Sequence, residues 1–479
     1  VSGSGVSAHA AATPDKPALI CGDEVVTYAQ LDARTDRLAQ QLVDAGAVAG
    51  QPVAVMLPNG IPFVEAAIAS AKVGARFLPV NWHLKEDEVA FILEDSGAPV
   101  LVDEAWLQSA GEVGDVPHRD SGPAPLFMFY TSGTTARPKG VVHGTTMDAQ
   151  VMALGQQGQV MLWGWTADDV HLLCGPAYHA GPGGWTSTAL FIGATTVIMP
   201  SWDAREWLRL VERHRVTRAF MVPAHFIRIL EVPDDERAAH DLSSLKLIVH
   251  AAAPCPVAVK HRIIDALPDT AIHELYGGSE GGATKISPEE WVRKPGSVGR
   301  PWPGVDVRVI ADDGTPLPPN TEGRIYMTPM GGNSWRYHNR PDVTSDSWHD
   351  DVYTIGDVGY LDDDGYLFIT DRASDMVLWG GVNIAPREVE EALYAHPGVV
   401  DCAVFGVPDD RDGERLKAVV EARPGVTADA LADWVRERLA DFKVPREWEL
   451  VATLPRDPNG KVLKRRLRDA HWAGRAANV

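Results

Sequence analysis

Between Tyr130 and Gly140 the chain reads YTSGTTARPKG. Backbone N–H groups and the hydroxyls of Thr131, Ser132, Thr134 and Thr135 are donors suited to phosphate oxygens. Gly133 and Gly140 allow close approach, and Lys139 offsets the charge of a polyphosphate. The pattern is not a P-loop. From Gly133 the order is G-T-T-A-R-P-K-G, with Pro138 before the lysine and no Gly-Lys-Ser/Thr end. A P-loop also opens a helix, whereas VVHG follows here and reads as a strand. A surface loop rich in Ser, Thr and Gly would look much the same, so the rest of the chain must say which phosphate chemistry is meant.

The elements that must hold such a loop are legible. In YAQLDARTDRLAQQLVDAGA, Leu31, Leu38 and Leu42 recur at helical spacing and Gly46 is a stop signal. QPVAVMLPN then reads as a buried strand, IPFVEAAIASAKVGA as a helix and RFLPVN as a strand, an order that implies parallel pairing. The alternation continues through ATTVIMP, REWLRLVERH, RAFMVP and LKLIVH, which predicts a large α/β domain. Near residue 357 the character changes. GDVGYLDDDGYLFITDR is two β-type runs joined at Asp364-Gly365, a hairpin signal. NIAPREVEEALYAHPGV predicts a helix near Pro386 with Val389, Ala392 and Leu393 on one face. VVDCAVFGV and RLKAVVEAR read as strands. TADALADWVRERLADF carries Leu431, Val435 and Leu439 at i, i+4, i+8. The tail is long enough for its own α+β domain, and the boundary is expected at Asp371-Arg372, giving domains 1–371 and 372–479.

At 479 residues the chain is too long for one small core. Its formal charge of −21 disfavours nucleic acid and anionic membranes as partners, but not ATP, which needs only a locally positive site. Cys21, Cys174, Cys255 and Cys402 are scattered and form no CxxC pair, so neither a disulfide framework nor a zinc site is expected. No apolar run approaches the ~20 residues of a membrane span. The opening VSGSGVSAHAAATPDKPALI lacks the charged and apolar regions of a signal peptide. A cytoplasmic location follows as an expectation.

YTSGTTARPKG is followed, in order, by LYGGSEGG (275–282), YTIGDVGYLDDDGYLFITDR (353–372), GGVNIAPREVEE (380–391) and PRDPNGKVLKRRL (455–467). These five motifs resemble the adenylate-forming superfamily of acyl-CoA synthetases, peptide-synthetase adenylation domains and firefly luciferase, over nearly the whole chain. VHAAAPCPVAVKHRII and GSVGRPWPG look most like bacterial fatty-acyl and related acyl-CoA synthetases. The resemblance implies a large N-terminal domain of mixed, mostly parallel sheets with helices, and a small mobile α+β C-terminal domain. It implies ATP, Mg2+ and coenzyme A. A carboxylate would attack the α-phosphate of ATP, giving an acyl-adenylate and pyrophosphate, and CoA would then displace AMP.

Residue by residue, the resemblance places Thr131, Ser132, Gly133, Thr134, Thr135 and Lys139 on the triphosphate, with Ala136 where glycine is usual. Tyr276 matches the adenine-packing aromatic residue, with Gly277 and Ala252 also at the nucleotide. Glu280 matches the magnesium carboxylate, and Thr131 is a second metal-side oxygen. Ser279 replaces the usual threonine and keeps the hydroxyl. Asp357 matches the ribose-binding carboxylate and Arg372 a nucleotide contact at the hinge, where Ser374 replaces a charged pivot. Lys461 matches the lysine that bridges carboxylate and α-phosphate, and Gly380 and Gly381 border the pantetheine tunnel. His179 matches the gate between acyl pocket and thiol tunnel. Ala180, Gly181, Gly183, Gly184 and Trp185, with Ala251 to Ala253, would line the acyl pocket, the glycines giving room and Trp185 a stop.

The absence of an FDxS-like stretch argues against an α-amino acid and for an apolar or aromatic acid. The segment from Asp103 to Pro125 is short for the family. Lys464, Arg465, Arg466 and Arg468 read as a solvated helix face. GGNSW (331–335) faintly resembles a carrier attachment site, and a turn is the better reading. Alternative acceptors stay open: a carrier protein in trans, or nitrite activation with transfer to an amine. A homodimer also stays open. A non-catalytic nucleotide binder is disfavoured by the joint presence of Glu280 and Lys461.

Overall fold

The computed structural model describes residues 4–111, 113–131, 137–144, 149–330, 334–409, 411–457 and 460–473. Ser132, Gly133, Thr134, Thr135 and Ala136 of the expected phosphate loop lie outside them. The molecule has a large N-terminal α/β domain and a small C-terminal α+β domain.

The predicted strand–helix–strand unit is present as Pro52–Val55, Ile61–Val73 and Arg76–Pro79, with the two strands parallel. They belong to a four-stranded parallel sheet with Val100–Val102 and Leu126–Phe127. Leu31, Leu38 and Leu42 are all buried on the Tyr28–Asp44 helix, which covers this sheet's neighbour, the Ile61–Val73 helix. A larger, 15-stranded sheet runs through the domain. Its parallel part comprises Pro17–Cys21, Thr195–Ile198, Val170–Leu173, Arg218–Met221, Leu247–His250 and Ala271–Gly278. Strands that are buried on both faces read as continuous apolar runs, which is why TTVI, RAFM and LIVH stood out. From Ala271–Gly278 onward, through Gly281–Ile286, Ser297–Pro301, Leu367–Arg372 and Asp357–Leu361, the sheet is antiparallel. The hairpin predicted at Asp364-Gly365 is there, with Gly365 at φ 78°.

A three-stranded antiparallel sheet joins Phe129–Thr131, Lys139–His143 and Trp335–Tyr337. The run after the phosphate loop is therefore a strand, as VVHG implied.

The tail domain has its own sheet: Val377–Trp379, Val382–Ile384, Val399–Asp409, Gly413–Ala422 and Glu447–Val451. Val389, Leu393, Leu431 and Val435 form its apolar core with Val404, Ala418 and Val420. Two details differ from expectation. Ala392 is only partly buried, and the Ala428–Arg436 helix stops short of Leu439. Leu439 still packs on that core. Among the described residues no helix is long and apolar enough to cross a membrane.

Three histidines sit fully inside the large domain. Burial pushes His171 and His225 down to about 3. Burial, then Lys260, pushes His250 well below its ordinary value. They stay neutral in the folded protein and take up protons near 6.5 in the unfolded chain. Stability is thus present above pH 6.5 and is lost as pH falls below it. The denaturant midpoint should fall steadily from pH 7 to pH 5, with up to about 1.4 kcal/mol per pH unit lost for each such histidine. An unchanged midpoint over that range would contradict this assignment.

Candidate active site

The antiparallel hairpins bring the predicted residues together. In the Asp357–Leu361/Leu367–Arg372 pair, Asp357 stands directly opposite Arg372. Arg372 Nε lies 3.3 Å from Asp357 Oδ1, and the Tyr276 hydroxyl donates to Oδ2 at 2.8 Å. Burial pushes the Asp357 carboxyl up, against the pull of Arg372. Tyr276 comes from the end of Ala271–Gly278. Its next residue, Gly277, lies so close to the returning strand that a Cβ would sit 2.5 Å from Gly281 O. Gly277 is thus required by the tight turn as well as by its place at the site.

That turn ends in Glu280, which is buried. Tyr337 donates to Glu280 Oε1 at 2.7 Å. A Cβ on Gly278 would lie 2.6 Å from Oε2, so the glycine keeps the space beside that oxygen free. A buried carboxylate with one oxygen held and the other beside a glycine cradle fits a hard divalent cation, which takes oxygen ligands. Ser279 contributes its carbonyl to a hydrogen bond with His143 Nε2 at 2.9 Å. Burial keeps His143 below its ordinary value, so it serves as a neutral donor. Thr131 and Lys139 face each other across the Phe129–Thr131/Lys139–His143 pair, at the two roots of the phosphate loop. The Lys139 ammonium stands 5.1 Å over the Tyr337 ring.

Lys461 arrives from the tail domain. Its turn is closed by Asp457, which accepts from Lys461 N at 2.9 Å and donates its own N–H to Lys461 O at 2.8 Å. Gly460, at φ 83°, packs so tightly that a Cβ would meet the Ala224 Cβ at 2.8 Å. Lys461 is exposed to solvent, and the protein crowded around it, then Arg372, push the ammonium below the usual lysine value. Its charge also acts on Asp357 and on His179. His179 caps the Ala180–Ile192 helix. Burial, then Lys461, lowers it to about 4, so the ring is neutral at pH 7. Its Nε2 is buried and has no hydrogen-bond partner among the described residues.

The tail is docked by polar contacts. Both terminal nitrogens of Arg228 reach Glu421, at 2.9 and 3.3 Å, and Arg423 reaches Glu231 at 2.6 Å. Glu391 accepts from Val257 N at 3.0 Å, capping the start of a large-domain helix.

Some expectations need correction. Gly181 and Gly183 do not open a pocket. A Cβ on Gly181 would fall 2.3 Å from the Phe220 ring, and one on Gly183 would fall 2.6 Å from Ala177 O, so both serve close packing. Gly184 has open space. Trp185 packs with Trp163, Trp165 and Phe220 at ring distances of 5.8, 5.1 and 5.7 Å, in a cluster that includes Ala251. Gly380 and Gly381 form an exposed hairpin turn with φ 53° and 86°, and among the described residues no atom lies within 4 Å of either Cβ position. Their glycine character answers the turn geometry rather than a close neighbour. Ala252 follows the Leu247–His250 strand at φ 72°, a left-handed conformation rare for a residue with a Cβ. Lys464 is only half-buried but is not a free surface charge: it pairs with Glu390 at 2.7 Å. Tyr337, His143 and the docking pairs were not anticipated. The aromatic run WRYHNRP held the signal for Tyr337.

The AMP-binding enzyme family matches residues 6–122 and 104–331, and its C-terminal domain matches residues 388–461. This chain belongs to that family. It is an AMP-forming ligase. It is 33% identical to the fatty acid–[acyl-carrier-protein] ligase ScoC of Streptomyces coeruleorubidus, over 99% of this chain and 97% of that one. It is 35% identical to a feruloyl-CoA synthase of Amycolatopsis sp, over 95% and 96%. Among solved structures it is similar to o-succinylbenzoate CoA synthetase of Bacillus subtilis in complex with the acyl-adenylate intermediate, with a TM-score of 0.83, 27% identity and 99% of both chains covered.

The Gly278 cradle is open to test. Gly278→Ala pushes its Cβ against Glu280 Oε2 and should displace the carboxylate, not the fold. Metal-dependent nucleotide binding should weaken about tenfold with an unchanged circular dichroism spectrum. Wild-type binding in the variant would show that the cradle is not needed.

Proposed function

We propose that this ligase adenylates a compact apolar or aromatic carboxylic acid and transfers the acyl group to CoA. The observation that supports the reading is the turn of Lys461, which comes from the tail domain and packs at Gly460 against Ala224 of the large domain, and the lysine charge acts on His179 and Asp357. A lysine held there supplies charge where the acid meets the α-phosphate. In this reading Asp357 takes the ribose hydroxyls and Tyr276 packs on adenine. Thr131 and Lys139, with the Ser132–Thr135 donors, hold the triphosphate. Glu280, with Thr131, would hold Mg2+, which when bound offsets the phosphate charge.

The compactness of the acid is inferred from Trp163, Trp165, Trp185 and Phe220, which fill the space behind Gly181. A neutral His179 suits an apolar ligand. We place the domain boundary at Asp371-Arg372, where the last large-domain strand ends and a short turn, Ala373–Asp375, carries Ser374. The tail domain is proposed to rotate there between the two half-reactions. The four cysteines are free thiols, which supports a cytoplasmic location. Acceptance by a carrier protein in trans is the second reading, supported by the likeness to ScoC.

The test is pyrophosphate release from ATP and Mg2+ across a carboxylic-acid panel, with and without CoA, with product masses. Acid-dependent release and an acyl-CoA mass are expected. Lys461→Ala should cut release on the order of 100-fold yet still pass acyl groups from a synthetic acyl-adenylate to CoA. Release without a thioester would favour the carrier protein. No release with any acid would overturn the reading.

A further inference from the structure

Tyr337 has no role assigned above, and it touches two groups of this site, Glu280 and Lys139. Its strand, Trp335–Tyr337, pairs with Lys139–His143, with Tyr337 opposite Val141. His338 N donates to Gly140 O at 2.7 Å, and Tyr337 N donates to Thr344 Oγ1 at 3.0 Å. The ring rests on Trp335 at 4.8 Å. Backbone and ring are therefore fixed by the same sheet that roots the phosphate loop. From this position the hydroxyl reaches Glu280 Oε1, and the ring face receives the Lys139 ammonium.

We propose that Tyr337 is a positioning residue for the magnesium–triphosphate site: it fixes the Glu280 carboxylate through Oε1, leaves Oε2 for the cation, and keeps Lys139 apart from Glu280. The proposal rests on the roles proposed above for Glu280 and Lys139.

Three points support it. First, the turn carrying Glu280 is rich in glycine, with Gly277, Gly278 and Gly281 around it. Glycines leave space but orient nothing, so the carboxylate needs an external hold. Second, the Tyr337 hydroxyl donates to Glu280 Oε1 at 2.7 Å from a ring that strand pairing and Trp335 hold in place. Third, Lys139 and Glu280 carry opposite charge, and Tyr337 meets both, Lys139 over its ring face and Glu280 at its hydroxyl. With the ring removed, their attraction in a partly dry site would draw them into a direct pair. Such a pair would occupy the groups meant for the cation and the triphosphate. The ring offers Lys139 a weaker partner, which a polyphosphate can outcompete.

Two variants separate the hydroxyl from the ring. Tyr337→Phe removes only the hydrogen bond, and Tyr337→Leu also removes the ring. The readouts are Mn2+ binding by electron paramagnetic resonance with a non-hydrolysable ATP analogue present, and binding of that analogue without metal by calorimetry. For Tyr337→Phe, Mn2+ binding should weaken between about 10- and 100-fold while metal-free nucleotide affinity stays within about twofold of wild type. Tyr337→Leu should weaken both. The steady-state counterpart is a higher Mg2+ requirement in Tyr337→Phe, with kcat recovered at saturating Mg2+. A folded Tyr337→Phe that binds Mn2+ like wild type overturns the proposal. So does a parallel loss of metal and metal-free binding, which marks a packing role only. Glu280→Gln is the reference. If it weakens Mn2+ binding and Tyr337→Phe does not, the Tyr337 role alone fails. If Glu280→Gln also binds Mn2+ normally, the metal assignment of Glu280 fails with it.

Discussion

Glu421 of the tail domain lies between Arg228, Arg456 and the Leu454 amide, and it settles where Lys461 stands. Burial alone would push its carboxyl up, yet the Arg228 hydrogen bonds and charge hold it below the usual range. The charge is therefore kept at the domain contact. The loop bearing Lys461 starts a few residues beyond Leu454. Arg456 ties that loop to Asp401 in the tail sheet and, at 2.8 Å, to Gly460 O. One carboxylate thus links a helix of the large domain to the loop that presents the lysine. The companion pair Arg423–Glu231 is more exposed, and pairs of that kind contribute little each. A contact built from half-wet ion pairs is specific in geometry and modest in strength. Such interfaces permit relative domain motion.

The proposed nucleotide side is built on a different basis. Its groups sit on hairpins whose register places them face to face: Asp357 against Arg372, Thr131 against Lys139. Strand pairing holds such partners to within the slack of a hydrogen-bond ladder. In the function proposed above, the large domain is the rigid receptor and the tail domain supplies the movable cation. The aromatic cluster of Trp163, Trp165 and Trp185 completes the rigid side, by closing the space that small residues on the Ala180–Ile192 helix would otherwise leave.

Much of this was legible beforehand. The parallel strands announced themselves because burial on both faces demands unbroken apolar runs. The Asp364-Gly365 hairpin did so because its turn needs a left-handed glycine. Glu280, Asp357, Arg372 and Lys461 could be named as candidates because each lies in a motif with a fixed order along the chain. Gly181 and Gly183 were misread for a physical reason. A glycine marks either free space or a close neighbour, and composition cannot tell the two apart until Phe220 and Ala177 are in place. Lys464 was misread because its partner, Glu390, is 74 residues away in sequence.

The sequence by itself determined the order of elements, the family and the inventory of reactive groups, because these follow from local patterning and from motif order. Only the tertiary structure decided which groups meet. Tyr337 and Glu280 are 57 residues apart, and Arg228 and Glu421 are 193 apart. Nothing in their local sequence states that they touch. Contacts of that range arise from sheet closure and domain docking, where many weak terms act together, and they set the orientation of Glu280 and the placement of Lys461.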